Sequence, residues 1–288
     1  MNRSPFRLAA VLAASALVLS ACGSDDSSDS GSDDAGAEEG GGGSTDGVTI
    51  GIKFDQPGLG QMDGETPTGM DVDVAKAVVE ELGMTEDDIT WKESPSAQRE
   101  TLLETDQVDM VFATYSITDD RMEKVQFAGP YFVAGQDLLV AADSDITGPD
   151  DLDSQVLCSV TGSTSAQNVK DEVPGVQLQE FGTYSECVQS LSTGDIAALT
   201  TDDTILAGFA AQDQYQGQFK VVGAPFSEEN YGVGLKQGDE RCEEINTILQ
   251  GFWDDGTMEQ IIEDNLGAAD YTANPDLNPP AEIGGNCG

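Results

Sequence analysis

Among 288 residues, 54 are aspartate or glutamate, 12 are lysine or arginine and none is histidine, a formal charge of −42. An imbalance of that size argues against nucleic acid or an anionic membrane face as partner, and the missing histidine removes the commonest general base and metal ligand. The length holds one or two domains with a sizeable core, and each of the scarce bases becomes informative.

At the N-terminus, Arg3 and Arg7 precede the apolar stretch LAAVLAASALVL, which is too short to span a bilayer as a helix and suits a secretory signal. It runs into LSAC, residues 19–22, which looks like the lipobox where bacterial signal peptidase cuts before a cysteine that carries diacylglycerol. Residues 1–21 are therefore expected to be removed and Cys22 to carry lipid. The next run, GSDDSSDSGSDDAGAEEGGGGSTDG, has no large apolar residue to offset the entropy of ordering. Residues 22–47 read as an acidic, self-repelling Gly/Ser linker that lifts a domain off a membrane surface.

Beyond it, strand-like and helical segments alternate. VTIGIKF is followed by DVDVAKAVVEELG, with Val74, Val78 and Leu82 on one helical face, and then by ITWKE; this is the α/β signature. The rhythm continues through AQRETLLET, VDMVFAT, LLVAA, QVLCSV, SAQNVKDE, VQLQEF, YSECVQSLSTG, IAALT, DTILAGFAAQ, FKVVG and YGVGLK, and closes in CEEINTILQGFWDDG and MEQIIEDNL. Residues 131–139 and 223–232 are extended stretches that lead into or out of a fresh α/β run. A segment inserted into a larger lobe needs two such crossings.

With Cys22 claimed by lipid, Cys158, Cys187, Cys242 and Cys287 remain, an even number in an exported chain where disulfides persist. Three pairings are possible. Cys158 with Cys187 and Cys242 with Cys287 keeps each bridge local and pins the Pro-rich tail NPDLNPPAEIGGNCG to a helix. Zinc is the competing use, with neither a Cys-x-x-Cys pair nor a histidine to support it; no metal and no cofactor are expected.

The order of these pieces, with GIKFDQPG, SAQRETLL, VDMVFATYSITDDR, FAGPYFVAGQDLLV, CSVTGSTSAQ and TTDDTILAG inside them, resembles the solute-binding protein family 3, the substrate-binding proteins of polar amino acid ABC transporters. Within it the likeness is to the glutamate-binding lipoproteins of actinobacteria, and it covers residues 48–272. The resemblance implies a two-lobed α/β fold of the periplasmic-binding-protein type with a two-strand hinge. Lobe 1 is then expected from residues 48–136 and 226–288, and lobe 2 from residues 137–225.

A free α-amino acid brings a carboxylate and an ammonium, and a protein must replace the water around both. A guanidinium fork, hydroxyls and backbone N–H groups suit the carboxylate. TYSITDDR offers Arg121, Ser116 and the peptide groups around Thr114, and in the family the matching arginine binds the α-carboxylate. VTGSTSAQNVK is a strand, then a Gly- and hydroxyl-rich turn entering a helix, whose N-terminus attracts anions. By the resemblance Thr161, Gly162, Ser163 and Thr164 form the second carboxylate-binding element; an ordinary N-cap turn has the same composition. Asp202, directly after an apolar strand, matches the family's amine-binding aspartate, with helix capping as the bland alternative.

Lys53 interrupts its strand near the C-terminal end, where ligands of open α/β sheets bind. Arg99 begins a helix, where a cation opposes the dipole and something must compensate. In acidic amino acid binders of the family, bases at these two positions grip the side-chain carboxylate; lysine replaces the arginine often seen at the first. Tyr184 matches a position that approaches the ligand, with simple packing as the alternative. Two bases aimed at one side chain argue for glutamate or aspartate over glutamine or histidine. The resemblance implies a monomeric, lipid-anchored protein on the outer face of the cytoplasmic membrane that delivers L-glutamate to a permease driven by an ATPase. A dehydratase-type enzyme on the same fold is the rival class, disfavoured by the lack of histidine, of an exposed free cysteine and of a metal cluster.

Overall fold

The computed structural model describes residues 47–173 and 175–288; the expected signal peptide, Cys22 and the linker up to residue 46 lie outside them. β1 (Val48–Ile52) carries Val48, Ile50 and Ile52 into the interior. Three short strands, β2 (Asp55–Gln56), β3 (Gly60–Asp63) and β4 (Thr66–Thr68), pair antiparallel as a small sheet of their own. α1 (Met70–Glu81) then buries the Val74 and Val78 face that its periodicity predicts. β5 (Ile89–Glu93), α2 (Arg99–Glu104), β6 (Met110–Val111), α3 (Asp119–Met122) and β7 (Val125–Ala134) complete the first half.

β8 (Gln136–Ala141) starts one residue after β7 ends, and Gly135 lies between them. β9 (Val156–Val160), α4 (Thr164–Glu172), β10 (Gln177–Phe181), α5 (Tyr184–Thr193), β11 (Ala198–Asp202), α6 (Asp203–Ala210) and β12 (Phe219–Val221) follow. The chain then returns through β13 (Glu229–Lys236) to α7 (Cys242–Asp255) and α8 (Thr257–Leu266).

Two five-stranded mixed sheets result, ordered β5-β1-β6-β13-β7 and β10-β9-β11-β8-β12, and each forms the centre of one lobe. They share a plan. Three strands run parallel, β5, β1 and β6 in one and β10, β9 and β11 in the other, and the remaining two are joined by antiparallel pairing. The chain crosses between sheets twice, at Gly135 and in the irregular stretch before β13. At the crossings the two strands touch: a Cβ on Gly135 would stand 2.7 Å from the Pro225 ring, and the Phe226 N–H donates to the Gln136 carbonyl at 2.9 Å.

β6 is shorter than the apolar run VDMVFAT predicts. The ladder ends because Thr114 adopts a φ of 45°, and the Asp71 carboxylate accepts its N–H at 3.0 Å, turning the chain away from the sheet. The disulfides take the local pairing, Cys158 with Cys187 and Cys242 with Cys287. The second fastens a tail that runs along β7, the outer strand of its sheet. Asn278 donates to the Val133 carbonyl at 2.8 Å and accepts its N–H at 2.9 Å, and the Phe127 N–H donates to the Asn286 carbonyl at 3.0 Å. An edge that would otherwise offer unpaired backbone groups is thereby covered. Among the described residues no helix is long and apolar enough to cross a membrane.

Candidate ligand-binding site

In an open α/β sheet, side chains that follow the carboxyl ends of parallel strands meet in one crevice. Here both lobes obey that rule and face each other. Ser96 and Arg99 follow β5, and Thr114 follows β6; from the other lobe come Ser163 and Thr164 after β9, Tyr184 after β10, and Asp202 at the end of β11. Together with Arg121 these residues line one small cavity of about 10 Å³ between the lobes.

Arg99 is 2% exposed, and its Nε donates to the Ser94 carbonyl at 3.3 Å. Its guanidinium lies 5.0 Å from the centre of the Tyr115 ring, and Arg121 lies 4.7 Å from the same ring, so one aromatic side chain carries two cations. Burial first, and then the charge of Arg121, lowers the proton affinity of Arg99. Among the described residues it forms no ion pair, in a chain with 54 acids.

Arg121 is held from several sides. One terminal nitrogen donates to the Ser116 carbonyl at 2.7 Å, the other to the Gly162 carbonyl of the second lobe at 3.2 Å, and Nε lies 3.5 Å from Glu100. Its ionic partner is thus Glu100 rather than Asp119 or Asp120 beside it. A hydrogen on each terminal nitrogen remains for a ligand. The Ser116 hydroxyl meets the Thr164 hydroxyl across the cleft at 3.3 Å. Ser163 caps α4, accepting from the Ala166 N–H at 3.0 Å and donating to the Val160 carbonyl at 2.7 Å. Thr161 and Gly162 are exposed and line the outer mouth of the cleft, along with Thr118 and Lys170.

Asp202 is the N-cap residue of α6, yet its side chain does not cap that helix. Its carboxylate accepts from the Tyr231 hydroxyl at 2.6 Å and from Ser165 at 3.4 Å. Burial, and then the neighbouring charge of Glu229, pushes its proton affinity well above the usual carboxylate range. A cation placed beside it would relieve both effects.

Two expected residues sit differently from a simple lining role. Lys53 is fully buried just past the end of β1, but it stands behind Tyr184, its ammonium 6.0 Å from the ring centre. Asp55 lies 2.9 Å from it, and burial outweighs that partner in lowering the Lys53 proton affinity. The Thr114 N–H is already taken by Asp71, and its hydroxyl meets Gln56 at 3.2 Å. Asp71 also accepts from the Tyr131 hydroxyl at 2.6 Å, and its carboxyl is pushed up to about 6 by burial.

Sequence reasoning passed over Ser96, Asp71, Tyr115, Asp55 and Glu229. Ser96 lay inside a quoted motif. Tyr115 likewise lay inside the motif VDMVFATYSITDDR, and the three acids carried no signal in so acidic a chain.

Two α/β lobes closed over a cavity that holds two buried guanidiniums on one side and a buried aspartate on the other define a two-lobed binder of small zwitterions. The chain belongs to the bacterial extracellular solute-binding proteins, family 3, whose family model matches residues 48–268. Glutamate-binding protein GluB of Corynebacterium glutamicum is 48% identical over 282 residues, covering 92% of each chain. The ABC transporter glutamine-binding protein GlnH of Bacillus subtilis is 33% identical over 90% of this chain and 95% of its own. Among solved structures, an ancestral arginine-binding protein bound to arginine superposes with a TM-score of 0.71 at 32% identity, over 76% of this chain and 98% of that one.

Proposed function

We propose that the protein captures L-glutamate between its lobes outside the cell and delivers it to the permease of an ABC importer, with Cys22 as lipid anchor and residues 22–47 as spacer. Arg121, with the hydroxyls of Ser116 and Thr164 and the turn at Thr161, Gly162 and Ser163, takes the α-carboxylate. Asp202 takes the ammonium. Arg99 takes the side-chain carboxylate, with Lys53 behind Tyr184 as a second base whose charge Asp55 largely compensates. The observation that carries this reading is Arg99, a buried guanidinium that lines the cavity and has no carboxylate partner among the described residues, since a buried charge needs a counter-charge. Similarity to GluB over nearly the whole chain supports the same ligand.

The test is a thermal-shift and calorimetric panel on the processed protein with L-glutamate, L-aspartate, L-glutamine, L-asparagine and L-arginine. Glutamate is expected to stabilise most and to bind at least tenfold more tightly than glutamine. Preference for glutamine would leave Arg99 without the role given to it, and preference for arginine would reverse the charge assignment of the cavity.

A further inference from the structure

The first turn of α5 has an unusual supplier. Thr183 caps it from its own chain segment, its hydroxyl accepting from the Glu186 N–H at 3.3 Å. The N–H groups of Tyr184 and Ser185 have no partner within a helix. Both point to Asp55 of the opposite lobe, whose Oδ2 accepts from them at 3.0 Å and 3.4 Å. The other oxygen of the same carboxylate stands 2.9 Å from the buried Lys53 ammonium. One side chain therefore closes a gap in lobe 2 and neutralises a base of lobe 1.

The neighbouring backbone records the same close approach independently. A Cβ on Gly208 of α6 would lie 2.0 Å from the Pro57 carbonyl oxygen. The segment from Asp55 to Pro57 thus rests against α5 and α6 at a distance only glycine permits.

We propose that Asp55 is a selectivity-setting latch. It completes the cap of α5 only when the lobes are closed, while its pair with Lys53 in the same lobe draws the Lys53 charge away from the ligand's side chain. The closed site then presents Arg99 as its net side-chain cation, with Lys53 compensated, which narrows the margin between an acid and its amide. This rests on the ligand class proposed above.

Two variants separate the two roles. Asp55→Asn keeps an oxygen for the α5 N–H groups but releases Lys53; Asp55→Ala removes both functions. Calorimetry with L-glutamate and L-glutamine on the processed protein is expected to show the glutamate-to-glutamine preference of Asp55→Asn rising at least fivefold over wild type. Asp55→Ala is expected to weaken both ligands by tenfold or more. Small-angle scattering with and without ligand should show Asp55→Ala more expanded than wild type, and Gly208→Ala, which obstructs the same approach without touching Asp55, expanded likewise. An unchanged preference in Asp55→Asn overturns the selectivity role. Ala-variant affinities within twofold of wild type, or scattering curves identical to wild type in both conditions, overturn the latch. Failure of the wild type itself to bind either amino acid overturns the ligand assignment instead, and the scattering comparison then still decides the latch.

Discussion

At the scale of the residue, the site is an exercise in keeping cations buried. Within its own lobe Arg121 meets the Ser116 carbonyl, the Tyr115 face and Glu100, contacts that fix its fork before closure brings in the Gly162 carbonyl. Pre-organisation of that kind converts charge-assisted hydrogen bonds into affinity rather than into ordering cost. Arg121→Ala removes the fork, leaves a ligand carboxylate buried without its partner and is expected to cost about 3 to 5 kcal/mol in binding, which calorimetry would read as a loss of more than a hundredfold. A loss under tenfold would remove Arg121 from the α-carboxylate. The bases were legible in the sequence because they are few: Lys53, Arg99 and Arg121 stand out against 54 acids. The same imbalance hid Asp55, Asp71 and Glu229, whose residue type says nothing here and whose roles depend on which backbone or base they meet across the fold. Asp202 was separable from them only by its place directly after an apolar strand.

At the scale of the element, the alternation of periods 2 and 3.6 marked most strands and helices of the two lobes, because their apolar faces have to reach a core; β7 is covered only in part, as an extended crossing from residue 131. The small sheet of β2, β3 and β4 escaped notice, since strands of two to four residues leave no periodicity to count. The end of β6 was equally hidden; a carboxylate from α1, not the local sequence, halts it at Thr114. The tail was legible through its cysteines alone. Its attachment by Cys242 and Cys287 spans 45 residues, so losing the bridge frees a long segment of chain in the unfolded state. The double substitution Cys242→Ser and Cys287→Ser is expected to lower the unfolding free energy by about 2 to 4 kcal/mol, measured as a shift of the urea midpoint. A change below about 1 kcal/mol would mean that Asn278 and the backbone bonds to β7 hold the tail without it.

At the scale of the whole molecule, two sheets of the same plan point the carboxyl ends of their parallel strands at one cavity, and the chain passes between them only at Gly135 and before β13. Polar contacts between the lobes include Arg121 to Gly162, Ser116 to Thr164, Asn168 to Glu229, Asp55 to α5, Tyr231 to Asp202 and Thr204, and Tyr271 to Asp203, beside apolar packing that runs through both lobes. A ligand that joins this set adds differential stability to the closed state, which is the thermodynamic requirement for hinge closure. The formal charge of −42 acts against an anionic ligand at long range, so the short-range cations inside the cleft have to prevail. The most direct test is a crystal structure of the processed protein grown with L-glutamate. The account predicts the α-carboxylate on Arg121 and Thr164, the ammonium on Asp202 and the side-chain carboxylate within hydrogen-bond distance of Arg99. Glutamate bound elsewhere, or bound here with Arg99 turned away from it, would contradict the account.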